Sequence, residues 1–301
     1  MLSVGMNVLR ELEFAVYQCE ECAKEDGDCD RSKHFKPGIN ALDQAVAFYY
    51  GTDDNFYHNL ANTRCANFGT CLGENKFNGE AKVNDKVFGY FDHMQDQLQN
   101  GNCAGARITV DEITKQMWVP LIQGNLRFAW MLSDQNPNSF ISSKGHQATG
   151  AIYAAGILPI IYECNKHSAH IIQQNMRVRE TSVVDDFPAI KEAFESCYDF
   201  LGVTCEDVGG HKHHDKDEYA SPMTMPCNDD ERKAKMAAAT SSSDDSSAGG
   251  KGFKIVVVLL LLLALIGAGV YFLRKKKTSP PPQSQTSESV PPTVPVEAQV
   301  V

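Results

Sequence analysis

The sequence predicts an all-α fold: a disulfide-containing helical bundle as ectodomain, followed by a single C-terminal transmembrane helix. Three observations support this prediction. Apolar residues recur at helical spacing from residue 6 to about residue 205. All ten cysteines lie before residue 228, ahead of the apolar run. That run, Phe253–Leu273, is 21 residues long and has one charged residue, Lys254.

Helical periodicity is clearest in four runs of the bundle. Their members are Leu42, Val46 and Tyr49; Val87, Phe91, Met94 and Leu98; Ile113, Met117, Leu121, Gly124, Phe128 and Met131; and Ala148, Ile152, Ala155 and Pro159. Pro120 and Pro159 fall inside two of these helices, and a proline inside a helix predicts a kink.

Candidate helix ends accompany this pattern. Asp111 is a predicted N-cap, and so are the adjacent serines Ser142 and Ser143. A last helix is predicted over Phe187–Leu201, closed by Gly202.

The cysteines indicate an oxidising compartment. They are Cys19, Cys22, Cys29, Cys65, Cys71, Cys103, Cys164, Cys197, Cys205 and Cys227. An even number on one side of a membrane span favours disulfides, with Cys65 and Cys71 as a local pair. Cys19 and Cys22 have the spacing of half a zinc site, but no second pair matches it, so disulfides are the favoured interpretation.

Charge is unevenly distributed. The chain has 28 basic and 38 acidic side chains, of which six and two follow Gly250, so the first 250 residues carry a net charge of −14. Such a surface repels nucleic acid and anionic lipid. It concentrates cations weakly, although solubility alone also accounts for it.

The apolar run has the length of a bilayer core, about 30 Å as a helix. The basic cluster 274–277 follows it, and the positive-inside rule predicts a cytoplasmic tail over 274–301 and an extracellular ectodomain. We therefore expect a single-pass type I protein of the plasma membrane. The first 20 residues lack the apolar core of a signal peptide, so the true amino terminus is expected upstream of Met1.

Residues 211–252 have no apolar periodicity and are predicted to be a flexible polar stalk. Its histidines His211, His213 and His214 stand among acidic residues and could hold a metal ion loosely, but a solvated linker is the favoured interpretation. The tail is rich in proline and serine and is predicted to be disordered.

Catalytic signatures are missing from the sequence. It has no nucleophile elbow, no zinc-protease helix motif, no phosphate-binding loop and no dinucleotide fingerprint. A metallopeptidase related to helical iron-regulated proteins is disfavoured because no helix carries an H-x-x-E pattern. We therefore predict that the protein is not an enzyme.

Several segments resemble a known family. In order they are ALDQAVAFYYGT (41–52), TRCANFGTC (63–71), AKVNDKVF (81–88) with GNCAGAR (101–107), VPLIQGNLRFAW (119–130), GAIYAAGILPII (150–161) and FESCYDFLGVTCEDVGG (194–210). Together they are similar to algal phytotransferrins, iron-starvation-induced surface proteins related to low-iron-inducible, iron-assimilating proteins of green algae. The resemblance covers roughly residues 6–210, and membrane-anchored members share the C-terminal span.

The resemblance implies binding of ferric iron with carbonate as a synergistic anion, followed by internalisation. Position in the matched segments makes Tyr49, Asp43 and His58 candidate iron ligands, with Tyr50 as the alternative to Tyr49. Ferric iron is a hard cation that prefers oxygen donors, which phenolate and carboxylate supply. Tyr49 also has the spacing of an ordinary core residue.

The candidate anion site comprises Arg127, Arg64 and Gln123. A guanidinium presents a planar fork of donors that suits an oxyanion. Arg127 follows Gln123 by one helical turn, and its apolar neighbours mean that its charge needs a partner. Asp43 or Glu112 could pair with it structurally.

One departure from the family concerns Thr149, which stands where relatives often carry an acid. The hydroxyl of Tyr153, where phenylalanine is common, is a candidate replacement donor. The sequence therefore predicts an algal receptor for ferric iron and carbonate, with endocytic or sorting proteins as partners of its tail. The alternative is an adhesion or carbonate-sensing module of the same fold without metal.

Overall fold

The computed structural model describes residues 2–24, 38–51, 56–73, 79–137, 144–178, 186–213 and 217–244. These segments form eleven α-helices. They are α1 Leu2–Lys24, α2 Ile39–Tyr50, α3 Tyr57–Phe68, α4 Lys82–Gln99, α5 Cys103–Leu132, α6 Lys144–Cys164, α7 Lys166–Met176, α8 Phe187–Glu195, α9 Tyr198–Leu201, α10 Cys205–Val208 and α11 Asp229–Asp244. The described part of the chain contains no β-strand, which confirms the all-α prediction.

Helix α5 is the centre of the bundle and packs against α1, α3, α4, α6, α7, α8 and α10. Its C-terminal half is buried almost continuously, from Val119 to Leu132. Polar groups in this stretch therefore lie in the protein interior, where each needs a partner. Pro120 and Pro159 lie inside α5 and α6, as predicted.

Two predicted helix ends differ from the structure. Asp111 lies inside α5, which begins eight residues earlier because the Asn102 side chain accepts a hydrogen bond from the Gly105 amide. The predicted last helix is two helices, α8 and α9, interrupted at Ser196 and Cys197. Gly202 ends α9 in the left-handed conformation, as predicted. Ser142 and Ser143 lie outside the described residues.

Disulfides confirm the prediction of bridges, and three of them join segments 22 or more residues apart. They are Cys19–Cys103, Cys65–Cys71, Cys164–Cys197 and Cys205–Cys227. Cys22 is also disulfide-bonded. The zinc alternative for Cys19 and Cys22 is therefore wrong.

The predicted boundary at residue 210 needs correction. Residues 209–213 and 217–228, here called the strap, fold back over the end of α3 and are closed by Cys205–Cys227. His211 is 7% exposed, and α11 continues after the strap. The stalk interpretation overlooked this because the strap is held by a disulfide and backbone hydrogen bonds instead of a periodic apolar face.

The chain divides into two compact units, Met1–Ala238 and Ala239–Val301, and only 239–244 of the second are described. The predicted span Phe253–Leu273 and the tail lie outside the described residues. Within the described helices, none combines the length and apolarity needed to cross a bilayer.

Candidate functional site: a buried cationic pocket

Three predicted site residues meet in the interior. Arg64 lies on the buried face of α3, Arg127 is half-buried on α5, and Tyr153 is buried on α6. The guanidinium carbon of Arg64 lies 5.8 Å from the centre of the Tyr153 ring, which is cation–π distance. The structure therefore brings two predicted anion ligands together with one predicted oxygen donor.

Close packing of α5 and α6 positions the tyrosine. A Cβ on Gly124 would lie 2.1 Å from Cε1 of Tyr153, so only glycine leaves room for this ring. The Phe128 ring stacks on the Tyr153 ring, with 5.7 Å between the two ring centroids. The sequence GNLRF (124–128) thus encodes both the space for Tyr153 and one of the two arginines.

The strap adds a residue that the sequence interpretation assigned to the stalk. His211 packs against Phe68, with ring centroids 5.6 Å apart, and Phe68 follows Arg64 by one turn of α3. Both ring nitrogens of His211 are buried and lack a hydrogen-bond partner among the described residues. Its burial could have been anticipated from Cys227, since a cysteine beyond residue 211 implies that the chain returns to the bundle.

Arg64, Arg127, Tyr153 and His211, here called the cationic pocket, form a positively charged environment. Burial lowers the pKa of Arg64, and burial together with the charge of Arg64 lowers the pKa of Arg127 to about 10. Burial, Arg127 and Arg64 lower the pKa of His211 to about 3, so its imidazole is neutral at physiological pH. Burial raises the pKa of Tyr153, and the two arginines oppose this.

Among the residues that the structure describes, no carboxylate pairs with the two arginines of this pocket. In the described ranges, neither Arg64 nor Arg127 forms an ion pair, and the Nε and Nη1 atoms of Arg64 are buried without a hydrogen-bond partner. Glu112 bonds Lys115 at 2.6 Å and Asp43 is exposed, so neither is the structural partner considered for Arg127. Chemically, the pocket is suited to an anion.

Gln123 lies at the edge of this region but is engaged elsewhere. Its Nε2 donates to the Thr70 hydroxyl at 3.1 Å and to the Val208 carbonyl at 2.9 Å. These bonds tie α5 to the turn after α3 and to α10. The Gln123 side chain therefore stabilises the packing of α5 against these two segments.

The other predicted iron ligands lie on α2 and the start of α3. Tyr49 is fully buried and donates to Asn84 Oδ1 at 2.7 Å, and burial raises its pKa far above the ordinary value. Tyr50 is 56% exposed. Its ring lies 4.8 Å from that of His58, whose Nε2 is 2.9 Å from Glu80 Oε1.

Tyr50, His58 and Glu80 form what we call the outer cluster. His58 precedes Arg64 by six residues on α3, which places them about 9 Å apart along the axis and on different faces. One metal ion is therefore not expected to bridge the outer cluster and the cationic pocket. No group of three or more His, Cys, Asp or Glu side chains suited to a metal occurs in the described segments.

Thr149 lies on α6 one turn before Tyr153. Its hydroxyl donates to the Gly145 carbonyl at 2.8 Å, a bond within its own helix.

Comparison of the chain with protein-family models, with curated proteins and with solved structures finds no match.

Proposed function

We propose that this protein binds ferric iron together with carbonate at the cell surface, for uptake of iron by internalisation. The observation that carries the proposal is the pair Arg64 and Arg127, which lies in the interior without a carboxylate among the described residues. Buried charges are costly unless they are paired. A small anion would supply the missing charge.

The pocket alone supports an anion, and the resemblance of the matched segments to phytotransferrins adds ferric iron as the cargo. Tyr153 lies at cation–π distance from Arg64, and a bound cation lowers the pKa of a phenol. Carbonate would supply two negative charges and phenolate one, against three positive charges on ferric iron and one on each arginine. The arginines would hold the carbonate on the side away from the metal.

The outer cluster offers phenol, imidazole and carboxylate, which are also ferric ligands. It lacks a cationic group that could hold a synergistic anion, because Glu80 already pairs with His58. The proposal therefore assigns anion-dependent iron binding to the cationic pocket.

Membrane anchoring through Phe253–Leu273 and sorting through the tail are parts of the same proposal. They rest on the length and apolarity of the span and on the basic cluster after it. Retention at a surface followed by internalisation would deliver the iron to an acidic vesicle, where protonation of the ligands favours release.

The test is a ferric iron titration of the complete 301-residue chain in detergent, with and without hydrogencarbonate. The proposal predicts a visible phenolate-to-iron absorption band that requires the anion. Arg127→Ala is expected to remove the anion dependence, whereas Arg107→Ala is the matched control, because Arg107 is a partly exposed arginine on the same helix that pairs with Glu13. A band that is independent of hydrogencarbonate contradicts the proposal.

A second candidate function is an anion-sensing or adhesion module that binds no metal. It is favoured by Thr149, whose hydroxyl bonds its own helix where relatives often carry an acid. Anion binding without any iron band in the same titration would select this function.

A further inference from the structure

Helix α6 is apolar on its exposed side as well as on its buried side. One face packs into the bundle through residues such as Tyr153 and Ile157. Between residues 146 and 162 the exposed side chains, here called the α6 stripe, are all aliphatic or aromatic: Ala148, Ile152, Ala155, Pro159 and Tyr162. Ile152 is 50% exposed and Tyr162 is 49% exposed. A helix that is apolar all round is normally buried all round, so the α6 stripe lacks the polar character expected of a surface in water.

The neighbouring helix has an ordinary exterior. Every exposed side chain of α7 is polar or charged: Lys166, His167, His170, Gln173 and Gln174. The exposed positions of α4 are also polar or charged, apart from Gly89. The apolar exterior of α6 is therefore not a general property of the helices in this bundle.

The spacing of the α6 stripe fits another helix. Its successive members are four, three, four and three residues apart. This is the spacing of the side chains that pack two helices together in a coiled coil. The stripe extends over about 21 Å of helix, the rise of 14 residues. Its shape therefore favours a helix as the partner.

The charges at the ends of α6 indicate which helix that is. Apart from His146, the ionisable side chains that α6 exposes are Lys144 at its start and Glu163 at its end. When two copies of α6 pack antiparallel, each end of the pair combines one Lys144 with one Glu163. Parallel packing would instead bring like charges together, which is unfavourable. The face of α6 is therefore complementary to its own copy in the antiparallel orientation, as a two-fold symmetric interface requires.

The same orientation matches large side chains with small ones. In an antiparallel pair with coiled-coil packing, Ile152 lies opposite Ala155 of the second copy, and Tyr162 lies opposite Gly145 of the second copy. Alternation of large and small side chains lets two helices approach closely.

We propose that this protein binds a second copy of itself through the α6 stripe, with the two α6 helices antiparallel. The two-fold axis passes between the levels of residues 153 and 154. The inference does not depend on the binding of iron or carbonate. A single pair of helices is a smaller interface than that of a stable soluble dimer, so the dissociation constant is expected to be in the micromolar range.

The test is analytical ultracentrifugation of the complete chain in detergent, over about 1 to 100 μM protein. A reversible dimer is expected. Ile152→Glu is expected to raise the dissociation constant about a hundredfold, because a carboxylate enters the apolar contact once from each copy. Ile108→Glu is the matched control, because Ile108 is 63% exposed on α5. A chain that stays monomeric throughout this range overturns the proposal, and so does an equal response to the two substitutions.

Engineered cysteines test the orientation. Ala155→Cys lies close to the proposed two-fold axis and is expected to form a disulfide-linked dimer under mild oxidation. Ala148→Cys is expected to form none, because its counterpart in the second copy lies eleven residues away along the helix, about 16 Å, and a disulfide needs Cα atoms within about 7 Å. Equal cross-linking by both variants contradicts the antiparallel arrangement, and failure of Ala155→Cys to cross-link contradicts pairing through α6.

Discussion

The cationic pocket and the outer cluster each contain a tyrosine and a histidine, but the charge that acts on the imidazole is positive in the pocket and negative in the cluster. In the outer cluster, His58 lies beside the Glu80 carboxylate and packs against the Tyr50 ring in a tilted arrangement. In the cationic pocket, Arg64 and His211 have buried polar atoms without partners among the described residues. Native proteins usually pair their buried polar groups, and for this reason the proposed anion is assigned to the cationic pocket.

The largest expected effect concerns Arg64. Arg64→Met is expected to weaken anion binding by about thirtyfold to a thousandfold or more, the usual cost of losing a buried charged contact. Without anion, the same change should stabilise the protein by about 1–4 kcal/mol, because it removes an uncompensated buried charge. Denaturant unfolding and anion titration measure the two effects. Arg107→Met is the control, and a destabilised anion-free Arg64→Met protein would contradict the account.

The pH dependence of stability is the next largest effect. The pKa of His211 is about 3 in the folded state against 6.5 for an ordinary histidine, so the unfolded chain binds more protons between these values. Stability contributed by neutral His211 is therefore present above about pH 6.5 and is lost as the pH falls towards 3, with a slope of up to about 1.4 kcal/mol per pH unit. The charged groups that act on His211 are Arg127, Arg64 and, more weakly, His213.

Unfolding of the anion-free protein by urea at several pH values checks this prediction. His211→Phe is expected to flatten the profile in the acidic window. A slope that is the same in both proteins would show that His211 does not titrate as its burial implies.

The strap disulfide Cys205–Cys227 makes it possible to distinguish an effect on stability from an effect on anion binding. Replacing Cys205 and Cys227 by serine should cost about 3 kcal/mol, because the bridge closes a loop of 22 residues. Replacing Cys164, the last residue of α6, and Cys197, which is 33 residues further along the chain, should lower the free energy of unfolding by a similar amount. Only the first change is expected to weaken anion binding, since only that loop carries His211. Equal effects on anion affinity would show that the strap does not shape the pocket.

The smallest effect is expected at the outer cluster. Glu80→Gln removes a partly exposed ion pair with His58, which is worth at most about 1 kcal/mol. Anion affinity should be unchanged. A loss of anion-dependent iron binding in this variant would indicate that the metal binds at the outer cluster and not at the cationic pocket.

The sequence was sufficient for the central helices of the bundle, but it missed α11 and the break between α8 and α9. Apolar periodicity predicted α2, α4, α5 and α6, and the charge of Arg127 among apolar neighbours indicated an anion site. Arg64 and Tyr153 were found through resemblance, because their proximity joins α3 to α6 and the room for the Tyr153 ring depends on the close approach of α5 and α6 at Gly124.

His211 could not be placed from periodicity. Its burial arises from a disulfide, a backbone turn and hydrogen bonds between segments distant in sequence. Gly209 shows the constraint: it has a φ of +70°, and a Cβ there would lie 2.6 Å from the Phe68 carbonyl oxygen. Contacts of this kind leave no repeating pattern in the sequence.

The most direct test of the account is the ¹³C NMR spectrum of labelled hydrogencarbonate added to the complete iron-free chain. The account predicts a bound resonance that is present in the unaltered protein, absent in Arg64→Met, and broadened when ferric iron is added. A bound resonance of equal intensity in Arg64→Met would contradict the central claim that the buried arginines hold the anion.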